Sequence, residues 1–170
     1  MSLLMFRAAE SSDLPALREM YRAVVDRMRA DGLDIWDDVY PVCALEGDIR
    51  NGALYILLDG SSPAAAFALC RDADGAAAVQ WIGQGSALYL DRLAVSPVYA
   101  GQGIGSRMLT LARQTAQAQG AQQLRLFVVQ ENRPAIRLYE KNGFLRAGGV
   151  YQEVIDDTLT LCEYGYETPL

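Results

Sequence analysis

The feature that most constrains this chain is a glycine-rich segment, residues 100–106, with the sequence AGQGIGS. It follows an apolar run that ends at Pro97 and precedes a segment with helical periodicity that begins at Ile104. Glycines at every second position let a backbone approach an anion, and the following helix supplies unpaired N–H groups and the positive end of its dipole. The segment therefore predicts a site for a phosphorylated cofactor, although a tight turn without a ligand can have the same composition.

Two other phosphate-binding patterns do not fit this segment. A P-loop ends in Gly-Lys-Ser or Gly-Lys-Thr, and the dinucleotide fingerprint places its last two glycines further apart. The segment therefore belongs to neither of these two classes of nucleotide site.

The composition of the 170 residues limits the partners that this chain can have. Hydrophobic residues make up 51% and charged residues 21%, which is typical of a globular protein, and the length suits one domain, 1–170. The net charge of −6 repels phosphate polymers and mildly favours cationic substrates such as amines, so we expect no nucleic-acid partner. The sequence shows neither a secretory leader nor a long apolar run, so we expect a cytoplasmic protein with no membrane partner.

The chain has no histidine and three cysteines, Cys43, Cys70 and Cys162. The lack of histidine excludes Ser-His-Asp and Cys-His nucleophilic sites and nearly all catalytic zinc sites. The cysteines have no paired spacing, so we expect small buried residues and neither disulfides nor a metal site. Acid–base chemistry must then fall to carboxylates, tyrosines, cysteines, the single lysine Lys141 or water.

Apolar periodicity predicts an α/β protein. The predicted strands are 4–8, 53–58, 64–70, a weak one at 77–82, 87–95, 124–129, one from Phe144 onward and one at 158–166. The predicted helices begin at the capping cluster 11–13, near Val42, at Ile104 and after Asn132, and they end near Gly32, Arg50, Gly120 and Asn142. The order of elements predicts a mixed sheet with helices on both faces.

A second motif, NRPAIRLYEKNGF, runs from Asn132 to Phe144. Asn132 can cap the helix with Pro134 in its first turn, and Tyr139 lies on the same helical face as Asn132, about 10 Å further along the axis. The helix follows the buried strand 124–129, so the tyrosine and the glycine segment can meet at the ends of adjacent strands, where open α/β sheets place ligands. Taken alone, the motif also fits a core helix in which Tyr139 only packs.

The two motifs together resemble the acetyl-CoA-binding core of the GNAT superfamily of N-acetyltransferases, from about Leu88 to Phe144. The family signature Asn-x-x-Ala-x-x-Leu-Tyr-Glu-Lys-x-Gly-Phe is matched without departure from Asn132. The family's loop pattern is Gln/Arg-x-x-Gly-x-Gly/Ala, and here Ala100 stands where Gln or Arg is usual. Because backbone amides provide most of the pyrophosphate binding in such a loop, we expect Ala100 to weaken cofactor affinity without abolishing it.

The resemblance implies a fold and an activity. The fold is a central mixed, mostly antiparallel sheet of about seven strands with about four flanking helices, splayed between the strand that ends at Val95 and the strand 124–129. The activity is transfer of an acetyl group from acetyl-CoA directly to the amine of a small molecule or peptide, in a ternary complex, with CoA as product and no metal. The alternative is a non-catalytic acyl-CoA-binding or regulatory module of the same fold. Assembly as a homodimer stays open.

The resemblance also assigns residues to the cofactor. The backbone of Leu93, Ala94 and Val95 would bind the pantetheine arm as an added strand. The diphosphate would be received by Gly101, Gln102, Gly103, Ile104, Gly105 and Ser106. Asn132 would contact the cofactor near its pantetheine, and Tyr139 would direct its hydroxyl at the sulfur as the general acid for the leaving thiolate.

Asp91 is the candidate general base. Alternation along the strand 87–95 places Tyr89, Asp91, Leu93 and Val95 on one face. Asp91 is thus the carboxylate nearest the expected thioester, at a position where some members of the superfamily carry a glutamate base. An ion pair with Arg92, or with an arginine of a neighbouring chain, would equally account for it.

The acceptor pocket of this superfamily usually draws on the loop between the first two helices, the central strands and the C-terminal hairpin. Aromatic rings there can hold a cation. The candidates are Trp36, Tyr40, Trp81 and Tyr89, together with the acids Asp37, Asp38 and Asp91. The aromatic residues can instead belong to the core.

Overall fold

The computed structural model describes residues 3–170 and contains eight strands and four α-helices within that range. The strands are β1 (Leu4–Ala8), β2 (Leu54–Asp59), β3 (Ser62–Cys70), β4 (Ala87–Val95), β5 (Gln123–Val129), β6 (Leu145–Arg146), β7 (Tyr151–Val154) and β8 (Thr160–Pro169). The helices are α1 (Leu14–Ala30), α2 (Val42–Arg50), α3 (Ile104–Ala118) and α4 (Arg133–Lys141), and short 3₁₀ turns form at Ser11–Asp13 and Pro97–Tyr99.

The strands follow the order β1-β2-β3-β4-β5-β8-β6, and β7 also pairs with β8. β4 and β5 run parallel, whereas β1–β2, β2–β3, β5–β8, β6–β8 and β7–β8 are antiparallel. The parallel register runs from Ala87 opposite Gln123 to Leu90 opposite Leu126 and stops there, although both strands continue. The mixed sheet with a splay after β4 and β5 is therefore confirmed.

The chain divides into two compact units, and the division falls within β3, β4 and α3. The first unit consists of the chain up to Ala68 together with Arg92–Met108. Its core includes Leu17 and Tyr21 of α1, Leu45 of α2 and Ile56 of β2. The second unit takes Leu69–Asp91 and Leu109–Leu170, and its core includes Leu124 and Leu126 of β5, Phe144, and Tyr166 of β8.

Most predicted boundaries match the structure within two or three residues. Asn132 caps α4 as predicted, since its side chain accepts a hydrogen bond from the Ala135 N–H at 3.3 Å. The predicted start of α1 at the capping cluster 11–13 differs from the structure. Residues 11–13 form a 3₁₀ turn, which the reciprocal capping box of Glu10 and Asp13 stabilises, and α1 begins after it at Leu14.

The weak strand predicted at 77–82 is wrong. This segment forms turns, and only Gln80 makes a bridge, to Gly148. The carboxylate of Glu167 accepts hydrogen bonds from the backbone N–H groups of Ile82 and Gly83 at 2.6 and 2.7 Å, and the indole of Trp81 donates to the carbonyl of Ala76 at 2.9 Å. Hydrogen bonds that involve side chains therefore replace the backbone hydrogen bonds of a strand in this segment.

The C-terminal region forms three strands, β6, β7 and β8, where the sequence predicted two. No helix within residues 3–170 combines the length and the apolar character that crossing a membrane requires.

Candidate active site

The glycine-rich segment lies in the first unit, between the 3₁₀ turn Pro97–Tyr99 and α3. Two contacts fix the chain ahead of it: the Ser96 N–H donates to the Ala64 carbonyl at 2.9 Å, and the Tyr99 hydroxyl donates to Asp59 at 2.7 Å. Gly101 and Gly103 have φ angles of 73° and 77°, in the left-handed region that favours glycine. The predicted strand, loop and helix arrangement is confirmed.

The loop is open beside two of its glycines. Among residues 3–170, a Cβ atom placed on Gly101 or Gly103 would meet nothing within 4 Å. The first N–H groups of α3 have no intrahelical acceptors and lie at the positive end of the helix dipole. This environment fits a diphosphate.

The strand that precedes the loop, β4, is irregular at Arg92, whose φ is 51°. The Tyr21 hydroxyl donates to the Arg92 carbonyl at 2.6 Å, and the Arg92 guanidinium pairs with Asp48 at 2.7 Å. A left-handed residue within a strand interrupts the regular two-residue alternation. Regular alternation was the reason to expect Leu93 and Val95 on the face of Tyr89 and Asp91. That reason does not hold beyond Arg92.

The backbone expected to bind pantetheine follows Arg92. Ala94 is buried, whereas Leu93 and Val95 are half-buried. Val95 and the loop residues Pro97 and Ala100 line a groove of about 200 Å³ together with residues of α1, including Val24 and Met28. This part of the first unit thus has an apolar groove directly beside the open glycine loop.

Tyr139 lies in the second unit, on α4, and is 8% exposed. Its ring contacts those of Phe144 and Tyr166, with centroids 5.9 and 6.4 Å away. Burial raises the pKa of Tyr139, and the charge of Asp91 raises it further, so the phenol keeps its proton. Among residues 3–170 no group hydrogen-bonds to the Tyr139 hydroxyl. The ring is buried, but residues 3–170 do not fully enclose the hydroxyl, so a ligand atom can reach it.

Asp91 also belongs to the second unit. It is exposed, it follows Leu90 where the pairing of β4 with β5 ends, and its charge reaches Tyr139. Arg92, suggested as its ion-pair partner, directs its guanidinium at Asp48.

The acceptor candidates of the first unit form an aromatic cluster. The ring of Trp36 lies 6.0 Å from that of Tyr21 and 6.5 Å from that of Tyr40, and Trp36 and Tyr40 are half-buried. The acids beside them stabilise the loop. Asp37 accepts the N–H groups of Val39 and Tyr40, and Asp38 pairs with Arg29 at 3.1 Å.

The acceptor candidates of the second unit are packed together. The ring of Trp81 contacts those of Tyr89 and Phe127 at 6.1 and 5.5 Å, and the Arg125 guanidinium lies 4.6 Å from the Trp81 ring centroid. Arg125 thus occupies the position over the Trp81 ring where a substrate cation would bind.

Glu163 of β8 is not among the site residues that the sequence predicted. Burial is the main reason why its pKa is raised to about 8, and a hydrogen bond to Glu153 and the charges of Glu153 and Asp91 add to the shift. Alternation along 158–166 could have placed Glu163 on one face with Leu161 and Gly165. The position of Glu153 was not predictable, because β7 was not recognised as a separate strand.

Within residues 3–170 none of the three cysteines forms a disulfide. Cys43 is exposed, and Cys70 and Cys162 are half-buried, so the expectation that the cysteines are buried is wrong.

The model of the acetyltransferase (GNAT) family matches residues 17–144. That range includes the glycine loop, Asp91, Asn132 and Tyr139, and it covers well over half of the chain. The chain belongs to the GNAT acetyltransferase family. This result confirms the family assignment that the two motifs suggested.

Individual relatives agree with the family. The chain is 40% identical over 60 residues to the thialysine N-epsilon-acetyltransferase of Bos taurus, and the match covers 35% of each chain. The fold resembles that of a GNAT acetyltransferase from Streptococcus agalactiae, with a TM-score of 0.80, 17% identity and coverage of 98% of this chain and 95% of that one. It also resembles the PaiA N-acetyltransferase of Thermoplasma acidophilum, solved in complex with coenzyme A, with a TM-score of 0.69, 20% identity and 99% coverage of both chains.

Proposed function

We propose that this GNAT family member is an acetyl-CoA-dependent N-acetyltransferase, with residues 1–170 acting as one acetyltransferase domain. It transfers the acetyl group directly to the amine of a small molecule or peptide in a ternary complex. The observation that carries this proposal is the buried Tyr139 side chain, whose hydroxyl keeps its proton and has no hydrogen-bond partner among residues 3–170.

The residues of the first unit fit the cofactor's diphosphate and arm. The backbone of residues 101–106, which is open beside Gly101 and Gly103, would hold the diphosphate, and the backbone of Leu93, Ala94 and Val95 would bind pantetheine beside the apolar groove. In the second unit, Asn132 uses Oδ1 for the helix cap, which leaves its Nδ2 group to contact the cofactor.

Bound acetyl-CoA would supply the acetyl group as a thioester whose thiolate leaves when the amine attacks. Tyr139 holds a proton that it can donate to the departing sulfur. A raised phenol pKa makes Tyr139 a weak acid, but the same burial that disfavours a phenolate also disfavours a free thiolate. We expect Tyr139 to act by a strong hydrogen bond that becomes proton donation as negative charge develops.

Two observations support an alkylammonium acceptor. The net charge of −6 attracts cations, and the matched relative from Bos taurus is named for acetylation of an epsilon amine. Trp36 and Tyr40 in the first unit and Tyr89 and Asp91 in the second are the side chains assigned to this acceptor. Trp81 would only line the acceptor pocket and not hold the cation, because the Arg125 guanidinium covers its ring.

Two measurements test the proposal. Calorimetric titration with CoA should show saturable binding that ATP and NAD do not compete for. A thiol assay with acetyl-CoA should then show release that depends on an added primary amine. Binding of CoA without thiol release from any amine in a broad panel would contradict the enzyme and favour the non-catalytic module.

A further inference from the structure

The apolar groove beside the glycine loop carries one charged pair on its α1 side. The residues that α1 and its C-cap contribute are spaced three or four apart, so they share one face of the helix: Val24, Arg27, Met28 and Asp31. The other side of the groove is formed by Val95, Pro97 and Ala100. Among all the lining residues Arg27 is the one cation and Asp31 the one anion. Because Ala100 directly precedes Gly101, the groove leads into the open loop.

The charged pair of the groove is weakly held. Nε of Arg27 donates to Oδ2 of Asp31 at 3.0 Å, and the two side chains are 65% and 52% exposed. Exposed pairs of this kind contribute little to stability, because water screens the charges. The carboxylate of Asp31 also lies at the C-cap of α1, where the negative end of the helix dipole disfavours it. Arg27 can therefore exchange Asp31 for another anion at small cost.

The guanidinium of Arg27 also has unused donors. Within residues 3–170 only its Nε has an acceptor, which leaves the N–H groups of both terminal nitrogens available. The planar arrangement of these groups matches the oxygens of a phosphate. The groove thus contains a cation with the geometry and the free donors that phosphate binding requires.

The glycine loop has no cation of its own. Residues 96–106, SPVYAGQGIGS, contain neither lysine nor arginine. The backbone N–H groups and the helix dipole offer only partial charges to a diphosphate. Two arginines of the first unit adjoin this segment: Arg27 across the groove from Ala100, and Arg107, which follows the loop in α3 and does not line the groove.

We propose that Arg27 supplies the full positive charge that the glycine loop lacks, and that its guanidinium leaves Asp31 to bind a diphosphate oxygen of coenzyme A. This inference rests on the proposed acetyltransferase function and adds a cofactor-binding residue that lies outside both sequence motifs. Asp31 then opposes cofactor binding, because its carboxylate competes with the phosphate for the guanidinium and repels the negative charge of the ligand.

The first test is calorimetric titration with CoA of the unsubstituted protein, Arg27→Met and Asp31→Asn. Arg27→Met should weaken binding about tenfold through the loss of a charge-assisted hydrogen bond. Asp31→Asn should tighten binding by about threefold, because it releases the guanidinium. Both substitutions break the same ion pair, so a purely structural role of the pair predicts changes in the same direction. Changes of the same sign would overturn the proposal.

Arg22→Met is the matched control. It removes the same charge from the same helix, but Arg22 is exposed, does not line the groove and lies roughly 140° around the helix from Arg27. It should leave CoA affinity within about twofold, and only the loss in Arg27→Met should shrink as salt is added. An equal loss in Arg22→Met would mean that total charge causes the effect. A loss in Arg107→Met without one in Arg27→Met would assign the cation to Arg107; either result overturns the proposal.

Dephospho-CoA identifies the phosphate that Arg27 contacts. This ligand keeps the diphosphate of CoA and lacks its 3′-phosphate. Arg27→Met should therefore weaken dephospho-CoA by the same factor as CoA. A loss that appears with CoA alone would place Arg27 at the 3′-phosphate and contradict the diphosphate contact.

The outcomes separate this inference from the proposed function. Absence of amine-dependent thiol release from the unsubstituted protein contradicts the acetyltransferase function, whereas CoA affinity that is unchanged in Arg27→Met contradicts only the role of Arg27. Urea unfolding shows whether each variant is folded. Arg27→Gln provides the same test if Arg27→Met does not fold.

Discussion

Arg92 reaches the carboxylate of Asp48 at 2.7 Å from a backbone that is in the left-handed region, with φ of 51°. The side chains of both residues are nearly buried, with 9% and 13% exposure. A left-handed conformation is unfavourable for any residue other than glycine, so the ion pair and the hydrogen bond from Tyr21 must hold it in place. Together these contacts set the backbone that leads into Leu93 and Val95.

Asp48→Asn should therefore destabilise the fold. It leaves the Arg92 guanidinium buried without its counter-charge, which typically costs about 3 kcal/mol or more. Urea unfolding measures the loss. Glu46→Gln on the same helix breaks only an exposed pair with Arg50 and should cost less than about 0.5 kcal/mol. Equal effects of the two substitutions would show that Asp48 does not hold Arg92.

Tyr139→Phe should slow thiol release by about a hundredfold and leave CoA affinity nearly unchanged. The ring contacts with Phe144 and Tyr166 remain, so the free energy of unfolding should change by less than about 0.5 kcal/mol. Tyr166→Phe is the control, because it removes a neighbouring hydroxyl that donates to Glu140 and should leave turnover near the parent value. Parent-like turnover of Tyr139→Phe would mean that Tyr139 is not the acid.

Gly103→Ala tests the glycine loop against a matched position. Gly103 and Gly120 have φ of 77° and 84°, and a Cβ atom meets nothing within 4 Å at either. Each substitution to alanine should cost about 1 kcal/mol of folding stability through backbone strain alone. Only Gly103→Ala should also weaken CoA binding, as measured by calorimetry. A similar loss of affinity in Gly120→Ala would contradict the assignment of the loop.

Ala100→Arg restores a residue type usual in the family's loop. A guanidinium beside the diphosphate adds a charge-assisted hydrogen bond, so CoA should bind about tenfold more tightly. The gain should shrink as salt is added. Unchanged affinity at low salt would mean that the backbone amides already saturate the phosphate site.

Stability should depend on pH through Glu163. Its pKa rises from 4.5 to about 8 on folding, so the folded state binds more protons than the unfolded state between these values. The free energy of unfolding therefore falls as pH rises through this window. Glu163→Gln should flatten the fall in urea unfolding between pH 5 and 8, whereas Asp157→Asn should preserve it. A fall of the same size in Glu163→Gln would mean that other groups cause it.

The sequence was informative wherever structure depends on neighbouring residues. The cap at Asn132, the loop before α3 and the buried strand β5 follow from residues a few positions apart, and the structure contains all three. Both motifs of the candidate site are of this local kind.

The features that the sequence did not reveal depend on distant partners. The conformation of Arg92 depends on Asp48 and Tyr21, which are 44 and 71 residues away. The predicted strand at 77–82 fails because Glu167, 85 residues after Ile82, satisfies its backbone. The pKa of Glu163 depends on the register of β7 against β8, which no local pattern specifies.

The most direct measurement compares the two products of a single reaction. The protein is mixed with acetyl-CoA and a primary amine, released thiol is quantified, and the acetylated amine is quantified by mass spectrometry. We predict equal amounts of the two products, with no acetyl group left on the protein. Thiol release without acetylated amine, or an acetyl group retained on the chain, would contradict direct transfer.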